Sequence, residues 1–167
     1  MILIGFRAVA LLAFALSATP LRAEEPSGCD KFKWPIGTQQ AALANPAKAA
    51  VSDGGALGVG GAALAQLAPV DQAHFQQKPE RAPRPGSYGA VLTLAAPAAG
   101  IYTVSLSEGA WIDVIQNGAT LKPLAFSGAR DCPHIRKTLK FRLEPTKTTL
   151  QISNVAAPEI AIVVLGE

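Results

Sequence analysis

Residues 100–118 constrain the fold more than any other stretch of this chain. Tyr102, Val104 and Leu106 alternate with Thr103 and Ser105, and a period of two is the mark of a strand with one apolar face. Glu108-Gly109 turns the chain, and residues 111–116 read as a second strand. Asn117-Gly118 follows, the dipeptide that most strongly signals a tight hairpin turn between strands. The stretch reads as strand, tight turn, strand, turn: a hairpin at the centre of the fold.

The second half repeats this grammar. Residues 88–94 form a strand and 95–100 a loop. Residues 121–127 form another strand, followed by a loop to Pro133. In residues 136–143, Leu139, Phe141 and Leu143 point inward while Lys140 and Arg142 point outward. Residues 148–154 put Leu150 and Ile152 inward, and 159–165 make a final buried strand. Short strands at this spacing predict an antiparallel sandwich. With one or two strands from the first half, the expected fold is mainly β: a jelly-roll-like antiparallel β-sandwich of about eight or nine strands with a short N-terminal helix.

The start of the chain has a different purpose. Arg7 precedes the unbroken apolar run 8–16, and Ser17-Ala18-Thr19-Pro20 then leads to Leu21-Arg22-Ala23. This is the layout of a secretory signal peptide, residues 1–23. The run is shorter than the about 20 apolar residues that span a bilayer, so no stable membrane insertion is expected after cleavage. Ser27-Gly28-Cys29 resembles the end of a lipobox, but Pro26 and the two glutamates before it argue against lipidation. The mature chain, 24–167, is expected to be one domain, irregular over 24–86 and regular over 87–167. Its localisation is periplasmic or secreted. Without Arg7 and Arg22, 13 basic residues face 12 acidic ones, a net charge of +1. No clustered basic surface for a phosphate backbone follows from this, and nucleic acid is not an expected partner.

Cys29 and Cys132 are the two cysteines. In an oxidising compartment they are expected to pair. A bridge closing a loop of roughly 100 residues contributes up to about 5 kcal/mol in a chain-entropy account. Next to Cys29, Phe32, Trp34 and Ile36 alternate with Lys31, Lys33 and Pro35. This segment reads as extended, with Phe32 and Trp34 covering one end of the core beside the disulfide; an exposed aromatic platform is the alternative. Residues 38–44 favour a helix that Pro46 ends, with one more turn after it. Ser52-Asp53-Gly54-Gly55 turns the chain. A strand is expected near 62–67, and a second extended piece around Ala73-His74-Phe75. Gly58, Gly60 and Gly61 precede no Lys-Ser/Thr pair, so they form no phosphate-binding loop. Residues 78–86, with three prolines, form a stiff exposed connection within the domain.

The segments Ala99-Gly100-Ile101-Tyr102-Thr103-Val104-Ser105-Leu106 and Ala110-Trp111-Ile112-Asp113-Val114-Ile115 resemble the bacterial pre-peptidase C-terminal domain. That type carries a Gly-x-Tyr-x-Val-x-Leu strand followed by a strand with an acidic residue. The likeness extends to uncharacterised secreted sandwich proteins of alphaproteobacteria and covers about residues 88–165. It implies an accessory β-sandwich of exported proteins, a type in which some domains bind calcium or polysaccharide. Asp113 stands at the acidic position. A Ca²⁺ site needs six to eight oxygens, and no carboxylate cluster accompanies Asp113.

Chemistry-bearing residues are sparse. There is no Gly-x-Ser-x-Gly nucleophile elbow. Asp131-Cys132-Pro133-His134 places a cysteine beside a histidine, but an oxidised Cys132 is no nucleophile. His74 and His134, with a carboxylate from Asp71, Asp131 or Glu144, would match the ligand count of a small metal-dependent oxygenase or hydrolase. No cofactor is otherwise implied. The basic strand 136–142 reads as a solvated, lysine-protected sheet face, or else as a surface for an anionic ligand. The reading that results is an exported binding or structural module whose partner is a protein or saccharide. Its candidate contacts are Trp34, Trp111 and Asp113. If Ile112 and Val114 join Tyr102 and Val104 in the core, alternation leaves Trp111 outside.

Overall fold

In the computed structural model Asn117 and Gly118 both take positive φ, 51° and 76°. Two consecutive left-handed residues are what a type I′ turn requires, and Asn-Gly is its preferred pair. The turn joins β7 (Trp111–Gln116) to β8 (Ala119–Leu121), which pair antiparallel. Around this tip the strands nest. β6 (Gly100–Leu106) pairs β10 (Lys137–Leu143), β5 (Tyr88–Ala95) pairs β11 (Lys147–Val155), and β3 (Ala62–Gln66) pairs β12 (Glu159–Gly166). Each step outward along the nest changes sheet. The chain is a long antiparallel ribbon rolled into two layers, the jelly-roll arrangement.

The structure describes residues 25–167; the expected signal peptide and Glu24 lie outside the described residues. One sheet runs β1-β3-β12-β6-β10-β9, where β1 is Ala47–Val51 and β9 is Ala125–Gly128. The other runs β2-β5-β11-β7-β8, where β2 is Ala56–Leu57, and β4 (Ala68–Pro69) also pairs β5. The fold is thus a mainly β sandwich, as expected, but it differs in three respects.

First, it is not purely antiparallel: β1 lies parallel to β3, and β2 parallel to β5. Parallel neighbours need a crossover. Here the chain makes it by leaving β1, touching the opposite sheet as β2, and returning as β3. Second, four short N-terminal strands and the splitting of one expected strand raise the number to twelve among the described residues. The turn expected after Pro46 is strand β1, because pairing with β3 overrides alanine's helix preference. Third, the Glu108-Gly109 turn does not close a hairpin. β6 belongs to the first sheet and β7 to the second, so this turn carries the chain across the sandwich. In the same way the strand expected over 121–127 is split. β8 and β9 lie in different sheets, with Lys122-Pro123-Leu124 between them. Residues 73–75 form no strand.

Between the sheets lies a core that includes Leu92, Leu94, Tyr102, Val104, Leu106, Ile112, Val114, Phe141, Leu150, Ile152 and Ile162. The inward sets expected for β10 and β11 are the observed ones. The helix α1 (Gly37–Ala44), expected over 38–44, packs on β12 and β3. There Ile36 and Leu43 join Cys132, Ile135, Ala161 and Val163, with Phe32, Trp34 and Leu165 at the rim, in a second apolar cluster. We call this layer the helix-side sheet. The opposite layer is covered on its outer face by residues 70–87, a connection without regular structure between β4 and β5. We call it the strap, and the layer beneath it the strap-side sheet. Connections longer than about 12–15 residues without structure of their own are uncommon and are usually functional when ordered.

Candidate functional site

The outer face of the strap-side sheet is polar yet buried. Asp113, Thr149, Gln151 and Ser153 are all withdrawn from solvent. Buried polar groups need hydrogen-bond partners, and the backbone and side chains of the strap supply many of them. The Gln151 side chain accepts from Gln77 N–H at 2.9 Å and donates to Gln77 C=O at 3.1 Å. Gln77 continues to Gly118 C=O and Thr120, and Gln76 meets Thr149. At the other end, β11 loses register between Ile152 and Val155. Asn154 takes a positive φ of 63° there, a conformation that asparagine tolerates. Its Oδ1 accepts from Arg84 N at 2.8 Å, and its carbonyl accepts from Arg84 Nη2 at 3.0 Å. Phe75 lies against Gly89, where an added Cβ would meet the ring at 2.9 Å and Ile152 O at 2.7 Å.

Trp111 and Asp113 stand together at one end of this face. Ile112 and Val114 are in the core with Tyr102 and Val104, so alternation does put Trp111 outside the core. It is half-buried rather than free. Its indole N–H donates to Asp113 Oδ1 at 2.7 Å. The Arg81 guanidinium lies 4.7 Å from the ring centroid and Lys137 Nζ 5.4 Å from it. Asp113 Oδ2 accepts from Glu80 N–H at 3.3 Å. Burial raises the Asp113 carboxyl above its usual range, against the bonds from Trp111 and Glu80.

Trp34 is on the other side of the molecule, at the rim of the helix-side cluster. It packs beside the disulfide region, as the sequence suggested, although its segment is a 3-10 turn (Cys29–Lys31) and bends rather than an extended piece. Lys140 Nζ lies 4.9 Å from its ring, and Lys140 also pairs with Glu167 at 2.5 Å. The indole Nε1 is buried with no hydrogen-bond partner. Cys29 and Cys132 form the disulfide. Gln40 of α1 reaches Pro133 C=O at 2.9 Å and lies 3.7 Å from both sulfurs, tying helix to bridge.

The two histidines occupy separate places. His74, exposed in the strap, pairs through Nδ1 with Asp53 Oδ2 at 2.9 Å. Asp53 Oδ1 accepts from Val91 N–H at 2.6 Å. Burial opposes ionisation of Asp53, but the Val91 and His74 bonds outweigh it and hold the carboxyl below its usual range. His134 follows the disulfide in an exposed turn, with φ 64°. Among the described residues no three His, Cys, Asp or Glu side chains gather into a metal-ligating group.

Sequence reasoning did not single out Leu124 and Phe126. They are the large apolar side chains that stay exposed among the described residues, at 54% and 58%. They flank the start of β9, where the ribbon passes between sheets and both sheets end in short edge strands. The available signal was Pro123, which interrupts an otherwise strand-like run. Lys33 Nζ lies 4.9 Å over the Phe126 ring. Leu121, Lys122, Leu124, Arg142 and Glu144 line an open cleft of about 440 Å³ beside it. Among the described residues no helix is long and apolar enough to cross a membrane. Comparison with known proteins finds no matching family model, no matching curated protein and no matching solved structure.

Proposed function

We propose that the protein is an exported binding module that meets a partner protein through the lateral edge formed by β8 and β9. The disulfide fits an oxidising compartment. Together with the signal-peptide pattern of residues 1–23 it supports a periplasmic or secreted location. An accessory role beside other exported proteins, as the pre-peptidase C-terminal resemblance implies, agrees with this reading. The observation that carries it is the exposed pair Leu124 and Phe126. Withdrawing a large apolar side chain from water contributes about 1.5–3 kcal/mol. Two such side chains two residues apart at one sheet edge suit the desolvated centre of an interface. Lys33 and Arg142 at its rim favour a partner surface that mixes apolar and acidic side chains. A saccharide would need an open ring face to stack on, and the rings of both Trp34 and Trp111 already carry cations.

The test is site-specific photo-crosslinking in the exported chain. A photoreactive phenylalanine analogue at position 126 is expected to yield a discrete protein adduct, and Leu124→Ser in the same chain is expected to diminish it. The analogue at Glu108, on an exposed turn at the crossing between β6 and β7, serves as the control. An adduct pattern at 126 identical to that at 108, or no protein adduct at 126, overturns the proposal.

A further inference from the structure

The lateral edge leaves the basic end of β10 unexplained. Lys137 sits on β10, in the helix-side sheet, and its ammonium crosses the end of the sandwich to donate to Ala110 C=O at 2.9 Å. It is a half-buried cation beside Trp111. Arg81 approaches the same indole from the strap. Neither Arg81 nor Lys137 has a carboxylate partner among the described residues. Arg136, the preceding residue on the chain, pairs with Glu25. Asp113 is engaged by the Trp111 N–H and by Glu80 N–H, and Glu80 pairs with Lys122 at 2.6 Å. Three cations therefore converge with Glu25 as the one carboxylate paired among them.

A desolvated ammonium is costly unless opposite charge compensates it. The Lys137 ammonium has three N–H donors, and one is used by Ala110. Burial, then the like charges of Arg81 and Arg136, push its pKa below the usual lysine range, against the opposite charge of Glu25. Arg81 is exposed, with its guanidinium 4.7 Å from the indole centroid, and its planar fork suits bidentate contact with an oxyanion.

We propose that Arg81, Lys137 and the Trp111 indole form a binding site for an oxyanion, a carboxylate or phosphate group of a ligand held between the guanidinium and the ammonium. The three residues come from the strap, the helix-side sheet and the strap-side sheet. The site is therefore assembled only when the strap is seated, and it is separate from the lateral edge.

The chain has two tryptophans, so Trp34→Phe leaves Trp111 as the single fluorescent indole. In that background fluorescence is titrated with sodium phosphate, with sodium citrate and with sodium chloride at matched ionic strength. A saturable change with phosphate or citrate, absent with chloride, is expected. Saturation by phosphate alone assigns a phosphate-bearing ligand, and saturation by citrate alone a carboxylate-bearing one. Arg81→Gln and Lys137→Met are each expected to weaken binding about tenfold, the loss of one charge-assisted bond. Lys137→Arg should retain it, and Lys147→Met, an exposed cation at the far end of β11 from Trp111, should bind as the parent does. Arg81 is on the exposed strap, so Arg81→Gln tests the site even if Lys137→Met fails to fold. A response that follows ionic strength alone, or unchanged affinity in Arg81→Gln, overturns the proposal.

Discussion

The two sheets share one core but wear covers of opposite chemistry. On the helix-side sheet, α1 and the segment before it bury Ile36, Leu43, Ile135 and Val163, and a disulfide pins that segment to the loop after β9. On the strap-side sheet the cover is a proline-rich strand of chain, held by the side chains of Gln151, Asn154, Asp113 and Thr149. Apolar burial is non-directional and tolerates small shifts. A polar cover depends on geometry, because each lost bond leaves a buried donor or acceptor unsatisfied. The first cover is therefore suited to holding the sandwich together. The second is suited to positioning particular groups, and it is the one that carries Arg81 to Trp111.

The largest expected effect strikes the apolar cover. Replacing Cys29 and Cys132 by serine should lower the unfolding free energy in urea by about 2–5 kcal/mol, the usual cost of losing a native bridge. Unchanged stability would mean that the helix-side cover needs no covalent tie. An intermediate effect is expected from Gln151→Leu, which strips partners from both the N–H and the C=O of Gln77. A cost of about 1–3 kcal/mol should be concentrated in the strap. Hydrogen exchange should therefore accelerate at the Gln77 and Glu80 amides while Val104 in the core stays protected. Equal acceleration in both places would erase the distinction between positioning cover and structural cover.

The smallest effect is a pH dependence. Because the folded pKa of Lys137 lies below its unfolded value, the cost of its charge is fully present below that folded pKa. That cost is relieved as pH rises through the folded pKa toward the ordinary lysine value of about 10.4. Parallel urea titrations should show wild type gaining stability relative to Lys137→Met between about pH 7 and about pH 10. A difference that stays flat over that range would mean that Lys137 carries no uncompensated charge.

Much of the architecture could be read from local pattern. Leu139, Phe141 and Leu143 point inward because alternation leaves them no other face. Asn117-Gly118 turns because few other pairs adopt two left-handed conformations without strain. The second turn, Glu108-Gly109, shows where this reading stops. Strand, turn and strand look the same whether the second strand folds back in its own sheet or crosses to the other. The Trp111 site was half legible. Its indole and carboxylate lie two residues apart on one strand and could be named together. Arg81 and Lys137 could not be joined to them, because they are thirty and twenty-six residues away along the chain and meet the ring only through the strap and the sandwich end.

Sequence by itself determined the strand periods, the inward sets, the tip of the ribbon, the helix expected over 38–44 and the pairing of two cysteines in an oxidising setting. These follow from neighbours a few residues apart, or from there being one pairing to choose. Tertiary structure alone decided which strands share a sheet, that two pairs are parallel, that a proline-rich connection lies flat on a polar face, and that Leu124 and Phe126 stay uncovered. Those outcomes depend on how segments far apart in the chain compete for the same surface, and that competition leaves no local period to read.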